Sequence, residues 1–157
     1  MKREIRGGSA LLTAYIQDKS EAIHASEARP AVLIFPGGGY EFVSDPEGEP
    51  VALAYAAKGF QTFVLKYSVK DKGVFPAPQR EAFEAIAVIR RNAAEFMVDP
   101  DKIAVVGFSA GGHLAASTGV FWNDAEVNDS ENPEECRPNA LVLVYPCITL
   151  DAYPGVR

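Results

Sequence analysis

Short apolar runs alternate along this chain with longer stretches that are apolar on one side only, and the alternation predicts its fold. Residues 31–35 (AVLIF) and 103–106 (IAVV) are unbroken apolar runs bounded by turn residues, as in strands buried on both faces. Residues 62–69 read as another strand, 11–17 as an early one, and the run 140–148 as the last, a strand ending near Tyr145. Between them, 50–58 has helical character and stops at Gly59, a residue suited to the turn that ends helices. Phe75-Pro76-Ala77-Pro78 then breaks the chain before a helix from Gln79 to about Phe96, in which Phe83, Ile86, Ala87 and Ile89 or Arg90 share one stripe. Strands alternating with helices predict an α/β fold with a doubly wound, mostly parallel sheet. No internal repeat and no linker marks a second domain.

The junction after 103–106 carries the candidate chemistry. Gly107-Phe108-Ser109-Ala110-Gly111 sets a serine in a GxSxG frame, between a strand and a stretch whose Ala110, Leu114, Ala115 and Ala116 favour helix. A sharp strand-to-helix turn crowds the residues two before and two after its apex, where only glycine leaves room. Ser109 is therefore the candidate nucleophile, standing proud of the sheet. The competing reading is a surface serine in a glycine-rich turn, binding a phosphate at a helix N-terminus.

Upstream, the strand 31–35 runs directly into Pro36-Gly37-Gly38-Gly39-Tyr40. Consecutive glycines let backbone N–H groups approach a ligand that side chains would hold away. In an acyl-transfer site those groups form an oxyanion hole, completed by the N–H of the residue after the nucleophile, here Ala110. Taken alone, the run would read as a flexible turn.

Composition narrows the picture further. An apolar content of 48% is ordinary for a globular domain, and a net charge of −6 without a basic cluster argues against nucleic acid and anionic membrane surfaces. Cys136 and Cys147 lack metal-ligand spacing and read as buried or loop thiols, so no metal or other cofactor is expected. Lys2, Arg3 and Arg6 precede an apolar stretch at 10–16, but it is short, interrupted by Thr13 and followed by no small-residue cleavage site, which argues against a signal peptide. No run is long enough to span a bilayer, and a cytoplasmic location is expected. Residues 122–139, acidic and polar, are expected to form a mobile surface excursion.

Taken in consecutive order, PGGGY after a strand, VLKYSV, VFPAPQ before a long helix and DPDKIAVVGFSAGGHLAAS resemble the α/β-hydrolase esterases grouped with acetyl xylan esterases and lipase-type carboxylesterases. The resemblance covers roughly residues 30–150. It implies a serine carboxylesterase acting on small acyl esters, acetyl groups on sugars among them, with Ser109 as nucleophile and the Gly38, Gly39 and Ala110 N–H groups at the oxyanion. The lipase version of the glycine loop begins with His, whose place Pro36 takes here; that residue orders the loop rather than performing chemistry.

The resemblance also implies a triad in the order Ser, then Asp or Glu, then His. About 48 residues follow Ser109 and none is histidine, so 1–157 is expected to be a single α/β-hydrolase domain incomplete at its C-terminus. His24 reads as a solvated loop residue. His113, four residues past Ser109, lies on the same helix face but displaced along the axis, and reads as packing or hydrogen bonding beneath the elbow. Asp99 and Asp101 belong to a turn at the far end of the strand from Ser109; Asp151 follows the last strand on the correct side, but the resembled enzymes draw their triad acid from a later strand, so Asp151 is not assigned that role. The expected partners are a small-molecule ester and, for the open last strand, a second copy or a complementing C-terminal segment. A non-catalytic hydrolase scaffold is the alternative, and a peptidase is a third.

Overall fold

The computed structural model describes residues 1–18 and 28–148, so His24 and Asp151 lie outside the described residues. Among the described residues six strands form one sheet: β1 (Lys2–Ile5), β2 (Ala10–Tyr15), β3 (Arg29–Phe35), β4 (Gln61–Lys66), β5 (Val98–Phe108) and β6 (Ala140–Val144). Three α-helices accompany them, α1 (Glu49–Ala56), α2 (Ala77–Arg91) and α3 (Ala110–Val120). The sheet order is β1-β2-β4-β3-β5-β6, with β1 and β2 antiparallel and β4, β3, β5 and β6 parallel.

The apolar run of β3 is unbroken because both of its faces are covered. Ala31, Leu33 and Phe35 point into a core shared with Ala82, Ile86, Leu114 and Ala115 of α2 and α3. Val32 and Ile34 point the other way, into a cluster with Ala52 of α1, Val64 and Val106. Helices therefore cover both faces, as doubly wound sheets require. Parallel register sets Ile34 opposite Val106 and Phe35 opposite Gly107, so the chain leaving β3 meets the chain leaving β5 at the same edge. Open α/β sheets place their sites at that edge, beyond the carboxyl ends of the strands.

Element boundaries differ from expectation where packing overrides pattern. The β1 strand escapes sequence reading because Lys2, Arg3 and Glu4 leave only Ile5 buried. The expected helix to Phe96 ends instead at Arg91; Phe96 is buried against Phe63, with ring centroids 5.3 Å apart, so its apolarity reports core packing outside the helix. The Asp99-Pro100-Asp101-Lys102 turn lies inside β5 as a bulge, Val98 opposing Arg29 and Ile103 opposing Ala31. There Asp99 accepts the Asp101 N–H at 3.0 Å and pairs with Lys102 at 2.7 Å. Gly59, with φ of 94°, ends α1 as expected.

Residues 122–139 are not a loose excursion. Val127, Asn128 and Cys136 are buried, the first and last against Phe83 and Ala87 of α2. Arg90 binds the segment to α2: its guanidinium donates to the carbonyls of Glu135 and Arg137, to Asn139 Oδ1, and to the Pro100 carbonyl of β5. The acidic composition that suggests a solvated loop serves partly to pair with arginines, as in Asp129 with Arg6 at 2.7 Å.

The β6 strand forms the sheet edge among the described residues, and Leu141, Val142 and Leu143 are 38%, 42% and 40% exposed. No helix among the described residues is long and apolar enough to cross a membrane.

Replacing Arg90 with Ala removes several charged hydrogen bonds at once. The Arg90→Ala protein is expected to lose about 2–3 kcal/mol of stability in urea unfolding and to be cleaved within 122–139 by limited proteolysis. Cleavage no faster than in the parent would show that the guanidinium does not hold this segment.

Candidate active site

Ser109 occupies the apex between β5 and α3 with φ of 51° and ψ of −115°, a region that residues with a side chain seldom enter. The fold over-determines it. Its N–H donates to the Val144 carbonyl at 3.0 Å, and its own carbonyl accepts the N–H groups of His113 and Cys147 at 3.0 and 3.1 Å. The flanking glycines have a steric reason: a Cβ on Gly107 would overlap the Gly111 carbonyl, and one on Gly111 would overlap the Phe35 carbonyl. Apex strain of this kind costs on the order of 1–3 kcal/mol and persists only where its surroundings enforce it.

The glycine loop lies against this apex. A Cβ on Gly37 would stand 2.8 Å from the Phe108 carbonyl oxygen and 3.1 Å from Ser109 Cβ, so no side chain fits between the loop and Ser109 without a shift. The loop is pinned at many points. Tyr67 donates its hydroxyl to the Pro36 carbonyl at 2.6 Å, Gly37 donates its N–H to Glu47 Oε2 at 2.7 Å, and Ser44 N–H donates to the Gly37 carbonyl at 2.9 Å. The Gly38 carbonyl accepts from Glu41 and Phe42, and the Tyr40 carbonyl accepts the Lys70 N–H at 2.7 Å.

The loop's remaining donors are free. Among the described residues neither the Gly38 nor the Gly39 N–H has an acceptor, and Ala110, as the first residue of α3, has none within its helix. Gly38 and Gly39 both have positive φ, of 130° and 64°, but for different steric reasons. A Cβ on Gly38 would overlap the Phe42 carbonyl, whereas one on Gly39 would meet nothing within 4 Å. The arrangement offers a half-exposed hydroxyl beside unpaired backbone donors, the elements of an acyl-transfer centre.

His24 lies outside the described residues, and among the described residues no hydrogen bond joins the His113 side chain to Ser109. His113 is half-buried, and a hydrogen bond joins its Nδ1 to the Tyr40 hydroxyl at 2.8 Å, with the rings edge to face. It ties α3 to the glycine loop, a hydrogen-bonding role as expected. Burial holds its imidazole below the ordinary histidine range and pushes the Tyr40 hydroxyl far above the ordinary tyrosine range. Asp99 and Asp101 sit at the opposite end of β5 from Ser109.

Sequence reasoning missed Glu47, Tyr67 and Tyr145. Tyr145 donates its hydroxyl to Glu47 Oε1 at 2.8 Å, while Tyr67 lies inside the quoted VLKYSV without a role attached. Nothing in the sequence signals Glu47, ten residues from its partner Gly37 and set in a polar turn.

The BD-FAE family model matches residues 15–154. The chain belongs to the BD-FAE family, a family of α/β-hydrolase esterases. It is 34% identical over 129 residues to endo-1,4-beta-xylanase B of Butyrivibrio fibrisolvens, covering 80% of this chain and 20% of that protein. It is 30% identical over 122 residues to the acetylxylan esterase of Xylanibacter ruminicola, covering 77% of this chain and 23% of that protein. Its fold matches the crystal structure of MGS-M1, an α/β-hydrolase enzyme from a Medee basin deep-sea metagenome library, with a TM-score of 0.77 at 47% identity, across 93% of this chain and 57% of that one. The chain thus spans about a fifth of the length of these two curated relatives. The fold is that of an α/β-hydrolase.

The His113 environment sets a pH dependence with a definite sign. Its folded pKa lies below the ordinary value of 6.5, so between the two the unfolded chain binds more protons and stability rises with pH. His113 should titrate below 6.5 by NMR, and His113→Gln should reduce the loss of stability on acidification from neutral pH. A midpoint above 6.5 would contradict the burial argument.

Proposed function

We propose that this chain carries the nucleophile half of a serine carboxylesterase site for small acyl esters, acetyl groups on sugars among them. The observation that carries the reading is the packing of Gly37 against Ser109 at a strained strand-to-helix apex, with unpaired Gly38, Gly39 and Ala110 N–H groups beside it. Similarity to an enzyme named acetylxylan esterase supports the acyl group.

In this mechanism Ser109 Oγ bonds to the ester carbonyl carbon as its proton passes to a base. The carbonyl oxygen becomes an oxyanion, held by the free N–H groups, and each such donor is typically worth about 3 kcal/mol of barrier. Collapse expels the alcohol with the returned proton, and water then hydrolyses the acyl-enzyme. The mechanism takes its base from another histidine: among the described residues no hydrogen bond joins the His113 side chain to Ser109, and that side chain instead ties α3 to Tyr40 of the glycine loop. We infer that a complementing C-terminal segment, pairing along the exposed β6 edge beside the elbow, brings that histidine to Ser109.

Two substitutions test the reading in protein that has its base. An organophosphonate ester should label Ser109 alone, and Ser109→Ala should abolish labelling and cost on the order of a million-fold in turnover. Labelling that persists in the variant would remove Ser109 as nucleophile; no labelling of the parent would favour the non-catalytic scaffold. Gly39→Val should fold, since open space receives the side chain, yet lose at least about a hundredfold in kcat because a β-branched residue resists a φ of 64°. Unchanged kcat would take the oxyanion role from this loop.

A further inference from the structure

Glu47 has no part in the mechanism above, yet its carboxylate touches two parts of the site. Oε2 accepts the Gly37 N–H at 2.7 Å and Oε1 accepts the Tyr145 hydroxyl at 2.8 Å. The two donors are 108 residues apart in sequence, one in the glycine loop and one just past β6. Hydrogen bonds to an ionised acceptor are shorter and roughly twice as strong as neutral ones.

The backbone makes the contact a closed circuit. Glu47 N–H donates to the Ser44 carbonyl at 3.2 Å, Ser44 N–H donates to the Gly37 carbonyl at 2.9 Å, and Gly37 N–H returns to the Glu47 carboxylate. Both polar groups of Gly37 are thus held by one short segment. Gly37 is also the loop residue at which a Cβ would stand only 3.1 Å from Ser109 Cβ, so a shift of this peptide moves the loop relative to Ser109. With the Gly37 N–H spent on Glu47, the free donors are those of Gly38 and Gly39.

We propose that Glu47 is a positioning residue: it fixes the glycine loop against Ser109 and, through Tyr145, keeps it in register with the segment leaving β6. The catalytic consequence rests on the esterase reading; the anchoring of Gly37 does not.

The experiment therefore has two readouts, amide hydrogen exchange at Gly37 and steady-state hydrolysis of p-nitrophenyl acetate, both on the protein with its base. Glu47→Leu should speed Gly37 exchange at least about tenfold and lower kcat at least about tenfold, with KM unchanged, because the loop acts on the transition state. Glu47→Gln, which keeps one acceptor for Gly37 and can donate to the Tyr145 oxygen, should restore most of both. Tyr145→Phe alters only an exposed hydroxyl and should lower kcat about threefold. Asp45→Ala, in the same turn and paired among the described residues only with exposed Lys66, should leave both readouts at the parent's values. Unchanged Gly37 exchange in Glu47→Leu overturns the proposal, as does altered exchange with kcat unchanged in protein whose Ser109 is labelled. If Ser109 is not labelled in the parent, the esterase reading fails instead, and Gly37 exchange alone decides the anchoring. Should Glu47→Leu not fold, Tyr145→Phe decides: kcat and exchange equal to the parent's would refute the coupling.

Discussion

The site depends on backbone packed directly against backbone where β3, β5 and α3 converge. Gly111 stands so near the Phe35 and Pro36 carbonyls, and Gly107 so near the Gly111 carbonyl, that no side chain fits at either place. This contact fixes the angle at which α3 leaves β5, and hence where Ser109 projects. It also brings the end of β3, and the glycine loop that follows it, to the side of Ser109. A methyl group in that contact would have to be accommodated by moving a strand or a helix, because neither neighbour is a flexible side chain.

How much of this was legible in the sequence follows from what each feature is made of. Ser109, Gly107 and Gly111 could be read because a steric demand that only glycine meets leaves a mark at fixed spacing. The β3 and β5 strands were legible because burial on both faces needs an unbroken apolar run. By contrast, β1 presents one buried residue in four, and Phe96 is apolar for a reason unrelated to helical period. The segment 122–139 reads as solvated because its anchors are backbone carbonyls and paired carboxylates, which composition cannot distinguish from polar surface. Glu47 was invisible for a related reason: its partners are a backbone N–H and a tyrosine 98 residues away, joined only by the fold.

The pinning contacts around the glycine loop share a logic. Pro36, Gly37, Gly38 and Tyr40 each have a carbonyl or N–H occupied by a partner from elsewhere in the chain or loop, which leaves the backbone few ways to relax. Tyr67 serves this purpose as a neutral donor, and the Tyr40 hydroxyl, likewise kept protonated by burial, bonds His113 Nδ1. Donors held rigid before the reaction need no reorganisation as charge develops, which is the condition under which backbone N–H groups stabilise an oxyanion strongly. A loop of three glycines is the most flexible sequence available, so its rigidity must come from these external bonds.

The strain at Ser109 places a further demand on the fold, and it falls on an exposed strand. The Ser109 N–H is held by the Val144 carbonyl and the Ser109 carbonyl by the Cys147 N–H, so two of the bonds that enforce the unfavourable φ come from the end of β6 and the turn after it. Yet β6 is the least covered strand described, with Leu141, Val142 and Leu143 open to solvent on the sheet edge. Edge strands with uncovered faces open more readily than central ones, because few buried contacts are lost when they do. Opening β6 would release the Ser109 peptide and the Tyr145 hydroxyl together, and with them the elbow and one arm of the Glu47 bridge. A segment that covered β6 would therefore stabilise the Ser109 geometry from a strand away, without touching the serine itself.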